Sequence, residues 1–86
     1  MREYFLDARE LEHPLPLELA IDNLKKLDKS SYFYMLHRKE PLPLLALASE
    51  HKLNYISKNC KNGFWHILIS PNIDVTLENY IKNEIN

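Results

Sequence analysis

The chain predicts an α/β (α+β) fold with the element order β-α-β-α-β-β and a helix at its C-terminal end. Three observations point there. Two segments open on Pro-x-Pro and continue with apolar residues at helical spacing. Four short runs rich in aromatic and aliphatic residues precede, separate and follow them. The last two runs are joined by a segment containing Asn62-Gly63, the pair that most readily accepts positive φ in a hairpin turn.

The elements follow in order. Glu3 to Ala8 is a short apolar run and reads as the first strand. Pro14 and Pro16 sit where a helix over 14–28 can begin, because proline is tolerated in the first helical turn. Leu17, Ala20, Ile21, Leu24 and Leu27 then form one apolar stripe. Asp28-Lys29-Ser30-Ser31 interrupts it. Tyr32-Phe33-Tyr34-Met35-Leu36 is apolar on both faces, the pattern of a central strand. Glu40-Pro41-Leu42-Pro43 repeats the Pro-x-Pro start for a shorter helix over 43–52 with Leu44, Leu45, Leu47 and Ala48. His51 and Lys52 in its last turn suit the negative end of the helix dipole. Leu53 to Lys58 and Phe64 to Ser70 read as strands, and Pro71 ends the second. Asp74 or Thr76 caps a third helix over 74–85, with Leu77, Tyr80, Ile81 and Ile85 on one face. The expected organisation is one domain over 1–71 with a helical extension over 72–86.

Composition narrows the function classes. With 86 residues the chain makes one small domain, and 45% hydrophobic content is enough for a core. A net charge of −1 argues against a broad basic footprint for nucleic acid and against polybasic attachment to a membrane. No apolar run approaches the roughly 20 residues needed to span a bilayer. The opening Met1 to Asp7 lacks an apolar h-region and a cleavage site, so no secretory signal is expected. The single cysteine cannot form an internal disulfide, which fits a cytoplasmic setting.

The stretch Leu6-Asp7-Ala8-Arg9-Glu10-Leu11-Glu12-His13-Pro14-Leu15-Pro16 resembles the opening motif of the bacterial TusA/SirA sulfur-carrier superfamily. That motif runs Asp, two residues, Gly-Leu, one residue, then Cys-Pro-x-Pro. Asp7, Leu11, Pro14 and Pro16 match; Glu10 stands at the glycine and His13 at the cysteine. A second segment, His37-Arg38-Lys39-Glu40-Pro41-Leu42-Pro43-Leu44, resembles the motif after strand two in a TusA-related family of domains of unknown function, whose members often lack the cysteine. The resemblance covers Glu3 to Ser70. It implies a two-layer sandwich: a four-stranded mixed sheet with two helices on one face. It carries no established activity. In the carriers a persulfide forms on the motif cysteine, before the first helix, where the helix dipole favours a thiolate. His13 cannot hold one. Cys60, the only thiol, lies in the hairpin segment, away from the motif edge in this reading, so a sulfur carrier through Cys60 ranks last.

A right-handed first βαβ unit brings the loops after strands one and two to the same edge of the sheet. His13 and His37 then approach each other, with Arg9, Arg38 and Lys39 near two helix N-termini. Two readings follow. One is an anion or carboxylate site on Arg9, Glu12, His13, His37, Arg38 and Lys39. The other is a metal site on His13 and His37 with Glu12 or Glu40, for which two histidines from separate loops are a weak pattern. Against both stands the plain alternative that His13 starts a helix, His37 ends a strand and the charges are solvated. No cofactor is expected. There is no Gly-rich phosphate loop, and neither an activated nucleophile nor a positioned base is visible. His66 is expected to be structural, on the face of Phe64 and Leu68 opposite Trp65, Ile67 and Ile69.

A two-layer sandwich covers one face of its sheet, yet the second and fourth strands are apolar on both. Either the C-terminal helix, a second copy of the chain or another protein covers the second face. The leading expectation is therefore a cytoplasmic, non-catalytic interaction or regulatory module with an unidentified protein partner or a homodimer. The alternative is a small-ligand, anion or metal binder at the His13/His37 edge, linked to redox or sulfur metabolism through the resemblance.

Overall fold

β1 (Arg2–Asp7) is followed by α1 (Leu15–Leu24), and β2 (Ser31–His37) by α2 (Leu42–Glu50). β3 (Asn54–Asn59) and β4 (Trp65–Ser70) complete a four-stranded mixed sheet in the order β1-β2-β4-β3. The structure is a computed structural model, and it describes residues 1–60 and 63–82. β1 runs parallel to β2, while β2–β4 and β3–β4 are antiparallel. β2 and β4 hold the middle of the sheet. Tyr32 to Leu36 and Ile67 to Ile69 are all buried there, as strands that read apolar on both faces must be.

Alternation sends Phe33 and Met35 of β2, and Ile67 and Ile69 of β4, to the helical face. α1 and α2 meet them through Ala20 and Ala48, both fully buried. The small side chains let the helix backbones lie close to the sheet, and Leu17, Leu24, Leu27 and Leu45 fill the flanks. α1 stops at Leu24 rather than continuing to Asp28. The Lys26 and Leu27 N–H groups reach back only three residues, to the Asn23 and Leu24 carbonyls, and tighten the end. Asp28 then competes for the backbone: its carboxylate accepts the Ser30 N–H at 2.8 Å. α2 ends at Glu50, so His51 and Lys52 lie just beyond the last turn rather than in it. Lys52 takes φ +57°, and the N–H groups of Lys52 and Leu53 close on the Ser49 and Ala48 carbonyls, a left-handed cap without glycine.

The second face of the sheet is covered by the chain's own tail. Tyr32, Tyr34, Leu36 and Leu68 pack with Leu77, and Ile56, Val75, Tyr80 and Ile81 flank them. The expected helix over 74–85 is not what the described part of this segment forms. Leu77–Tyr80 is a single 3-10 turn and Ile81 is extended, with φ −69° and ψ 131°; residues 83–85 lie outside the described residues. Geometry explains the difference. Lys58 of β3 pairs with Glu78 at 3.0 Å, and Glu3 of β1 pairs with Lys82 at 2.6 Å. Between these ion pairs the tail crosses from one edge of the sheet to the other, three inter-strand steps or about 14 Å. Four α-helical residues advance only about 6 Å, whereas the extended stretch advances about 3.3 Å per residue, and together with the long Lys58 and Lys82 side chains it covers the span. The expected Asn62-Gly63 turn also lies partly outside the described residues; Gly63 itself has φ +84°, which glycine takes without strain.

Candidate functional site

Parallel pairing of β1 and β2 puts the loops after both strands at one edge, and the two Pro-Leu-Pro-Leu segments at 14–17 and 41–44 start α1 and α2 side by side there. Between them opens a cleft of about 310 Å³. Met35 and Leu44, both fully buried, and Pro16, also buried, form its apolar floor together with Leu11 and Leu17. Glu12, His13, His37, Arg38, Lys39 and Glu40 supply its polar wall. Five of the six candidate site residues thus share one cleft.

The sixth does not. Arg9 is absent from the lining and is held elsewhere. Its Nε donates to Asp7 Oδ1 at 2.9 Å and its Nη2 to Asp7 Oδ2 at 2.7 Å, a two-pronged pair. Its guanidinium also stands 5.0 Å over the Phe64 ring. The Arg9 side-chain hydrogen bond, the largest influence on Asp7, holds that carboxyl below the usual carboxylate range. Strand alternation places Asp7 with Phe5 on the tail-covered face, so an arginine committed to Asp7 is drawn away from the cleft.

The polar wall is ordered by short-range bonds. Arg38 Nη2 donates to the Leu11 carbonyl at 3.1 Å and stands 3.6 Å from Glu12 Oε1. The Glu12 side chain is 86% exposed, so that contact is loose and solvated. Glu40 turns to β3 and accepts the Ser57 hydroxyl at 3.0 Å. His37 Nδ1 accepts the Lys39 N–H at 3.1 Å, which requires an unprotonated Nδ1. Burial, followed by Arg38 and Lys39, pushes the His37 pKa down, and so favours that neutral form. Formal charges in the wall balance, Arg38 and Lys39 against Glu12 and Glu40. Glu40 is engaged by Ser57, while Glu12 stands only loosely by Arg38.

The helix starts add backbone donors. An α-helix leaves its first N–H groups without intrahelical acceptors, and proline has none to offer. In α1 the Leu15 N–H is used by the Glu12 carbonyl, and in α2 the Leu42 N–H by the Glu40 carbonyl. The remaining first-turn donors are those of Leu17 and Leu44, and both residues line the cleft. The His13–Pro14 peptide that leads into α1 is cis.

Among the described residues, no group of three or more His, Cys, Asp or Glu side chains could hold a metal ion. His13 and His37 share the cleft, but no third ligand of this kind joins them. The sequence reading also placed Cys60 away from this edge, and the topology corrects that. His37 pairs with Trp65, and Trp65 with Asn59, so the β3–β4 connection leaves the sheet at the same edge as His37. Cys60, partly buried, still does not line the cleft. Sequence reasoning missed the apolar floor. The signal was present in part: Met35 lies two residues before His37 and therefore on the same face of the strand. No protein-family model, curated protein or solved structure matches the chain.

Proposed function

We propose that this is a TusA-like, non-catalytic binding module whose recognition site is the cleft between the two Pro-Leu-Pro-Leu segments, and that its ligand is a small amphipathic anion such as an aliphatic carboxylate. The cleft carries the reading: Met35, Leu44 and Leu17 give it an apolar floor, Arg38 and Lys39 line it, and it opens where both helices begin. A carboxylate head would meet the cations and amides while its alkyl chain covers the floor. A volume of about 310 Å³ lies at the lower end of the range for small-molecule sites, which suits a compact ligand. His13 stands in the loop just before α1, the place the resemblance assigns to the carrier cysteine, so the module keeps the position and lacks the sulfur chemistry. The tail-covered second face supports the same choice, because the chain already occupies the surface that would otherwise dock a partner. Among the described residues no helix is long and apolar enough to cross a membrane.

The test is an amide-resolved NMR titration with acetate, butyrate, hexanoate and octanoate. The expected outcome is a rise in affinity with chain length until the cleft is filled, near-millimolar binding of hexanoate, and shifts centred on Leu17, Lys39 and Leu44. Lys39→Ala should weaken hexanoate severalfold. Hexanamide binding as tightly as hexanoate would overturn the anionic head, and shifts spread evenly over the surface would overturn the site.

A further inference from the structure

The Arg38–Glu12 contact is an ion pair inside the lining of the proposed binding cleft. It joins the loop before α1 to the loop before α2. Arg38, 45% exposed, keeps a hydrogen bond to the Leu11 carbonyl at 3.1 Å that does not depend on Glu12. Among the described residues Glu12 has no comparable anchor: its side chain is 86% exposed, and its oxygen stands 3.6 Å from Nη2, beyond hydrogen-bond distance. The chain thus presents its own carboxylate, loosely, to the cation that a ligand carboxylate would seek. Glu40, the other acid of the wall, is turned to the Ser57 hydroxyl.

We infer that Glu12 is a built-in competitor for the anionic head of the ligand, a specificity-determining residue that the ligand must displace from Arg38. The inference rests on the binding reading above and adds a prediction of opposite sign to the usual one: removing a wall residue tightens binding. Displacement exchanges one Arg–carboxylate contact for another. The cost is that of breaking a solvated surface pair, which corresponds to roughly a twofold to fivefold change in an equilibrium constant. A ligand that places only one oxygen near Arg38 would barely repay that exchange. One that offers a planar carboxylate to the guanidinium gains two parallel bonds that the exposed Glu12 does not make. Glu12 therefore selects against heads that offer Arg38 a single oxygen.

The experiment is hexanoate titration of the full chain by NMR in four forms: unaltered, Glu12→Gln, Arg38→Ala, and the double variant. Glu40→Gln serves as the charge-matched control. Glu12→Gln should bind hexanoate about twofold to fivefold tighter, and the gain should disappear in the Arg38→Ala background. Glu40→Gln should gain less than Glu12→Gln. Equal gains from both glutamines would show a diffuse field effect and overturn the competition. Unchanged or weaker binding by Glu12→Gln, with the unaltered chain still binding, would overturn it too. If neither the unaltered chain nor Glu12→Gln shows localised shifts, the binding reading itself fails, an outcome distinct from the other two. Because Glu12 is so exposed, its substitution leaves the core intact, and the unchanged melting temperature verifies that.

Discussion

Replacing Leu77 by alanine tests how the tail holds the sheet. Leu77 is 2% exposed and packs with Tyr32, Tyr34, Leu36 and Leu68. The substitution removes three carbons' worth of buried surface, about 2.4 kcal/mol at ~0.8 kcal/mol per methylene. A cavity adds to that if the surroundings cannot close. Here the strap is fastened on both sides. Asn54 Nδ2 donates to the Val75 carbonyl at 2.8 Å, the Lys82 N–H donates to Tyr34 Oη at 2.9 Å, and Lys82 Nζ meets Glu3 at 2.6 Å. Such fastening limits collapse, so the loss should reach about 2.5–4 kcal/mol, within the usual range for a buried leucine. Domains of this size hold roughly 0.05–0.15 kcal/mol per residue, so that loss is a large share of the whole. At about 4–8 °C per kcal/mol, the melting temperature should fall by at least 10 °C. Urea denaturation supplies the measurement, with Ile73→Ala as reference, since Ile73 is 73% exposed and should cost under about 0.5 kcal/mol. A Leu77→Ala cost below about 1 kcal/mol, or one equal to Ile73→Ala, would refute the claim that the strap completes the core.

Arg9→Ala should leave hexanoate affinity unchanged, because Arg9 is paired with Asp7 and Phe64 rather than placed in the cleft; a severalfold loss would return it to the site. The pH dependence has a defined sign. Burial lowers the pKa of both His37 and His66 from 6.5, with cationic neighbours adding to the shift: Arg38 and Lys39 for His37, Arg9 for His66. Below pH 6.5 the unfolded chain takes up protons that the folded chain refuses, so stability is fullest above that value and declines as the pH falls toward the folded pKa values. His37→Gln should flatten part of this decline in a series of denaturation curves between pH 7.5 and 5; curves that stay parallel to the unaltered chain would exclude His37 as a contributor.

His66 shows why the sequence reached only part of the answer. Alternation along β4 assigns it to the face of Leu68, and it is there, fully buried. Its partner is Tyr34 of β2, with the hydroxyl 2.6 Å from Nδ1. That pairing depends on which strand lies beside which, and a strand's own residues do not state it.

Local physics made the four strands and two helices of the mixed sheet legible. Periodicity, proline at helix starts and aromatic strands act over a few residues, and each is written within its own segment. The same locality made Glu12, His13, His37, Arg38 and Lys39 readable as neighbours, because a right-handed parallel crossover leaves few alternatives. Three features were decided only in three dimensions. Arg9 left the site because a bidentate partner stands two residues away on the other face of the strand. Cys60 came to the motif edge because antiparallel pairing returned its hairpin there. The tail unwound on a path between the two edge strands, where an extended stretch advances about twice as far per residue as a helix. Helical periodicity describes what a segment can bury, whereas the distance between Glu3 and Lys58 sets the path it must take.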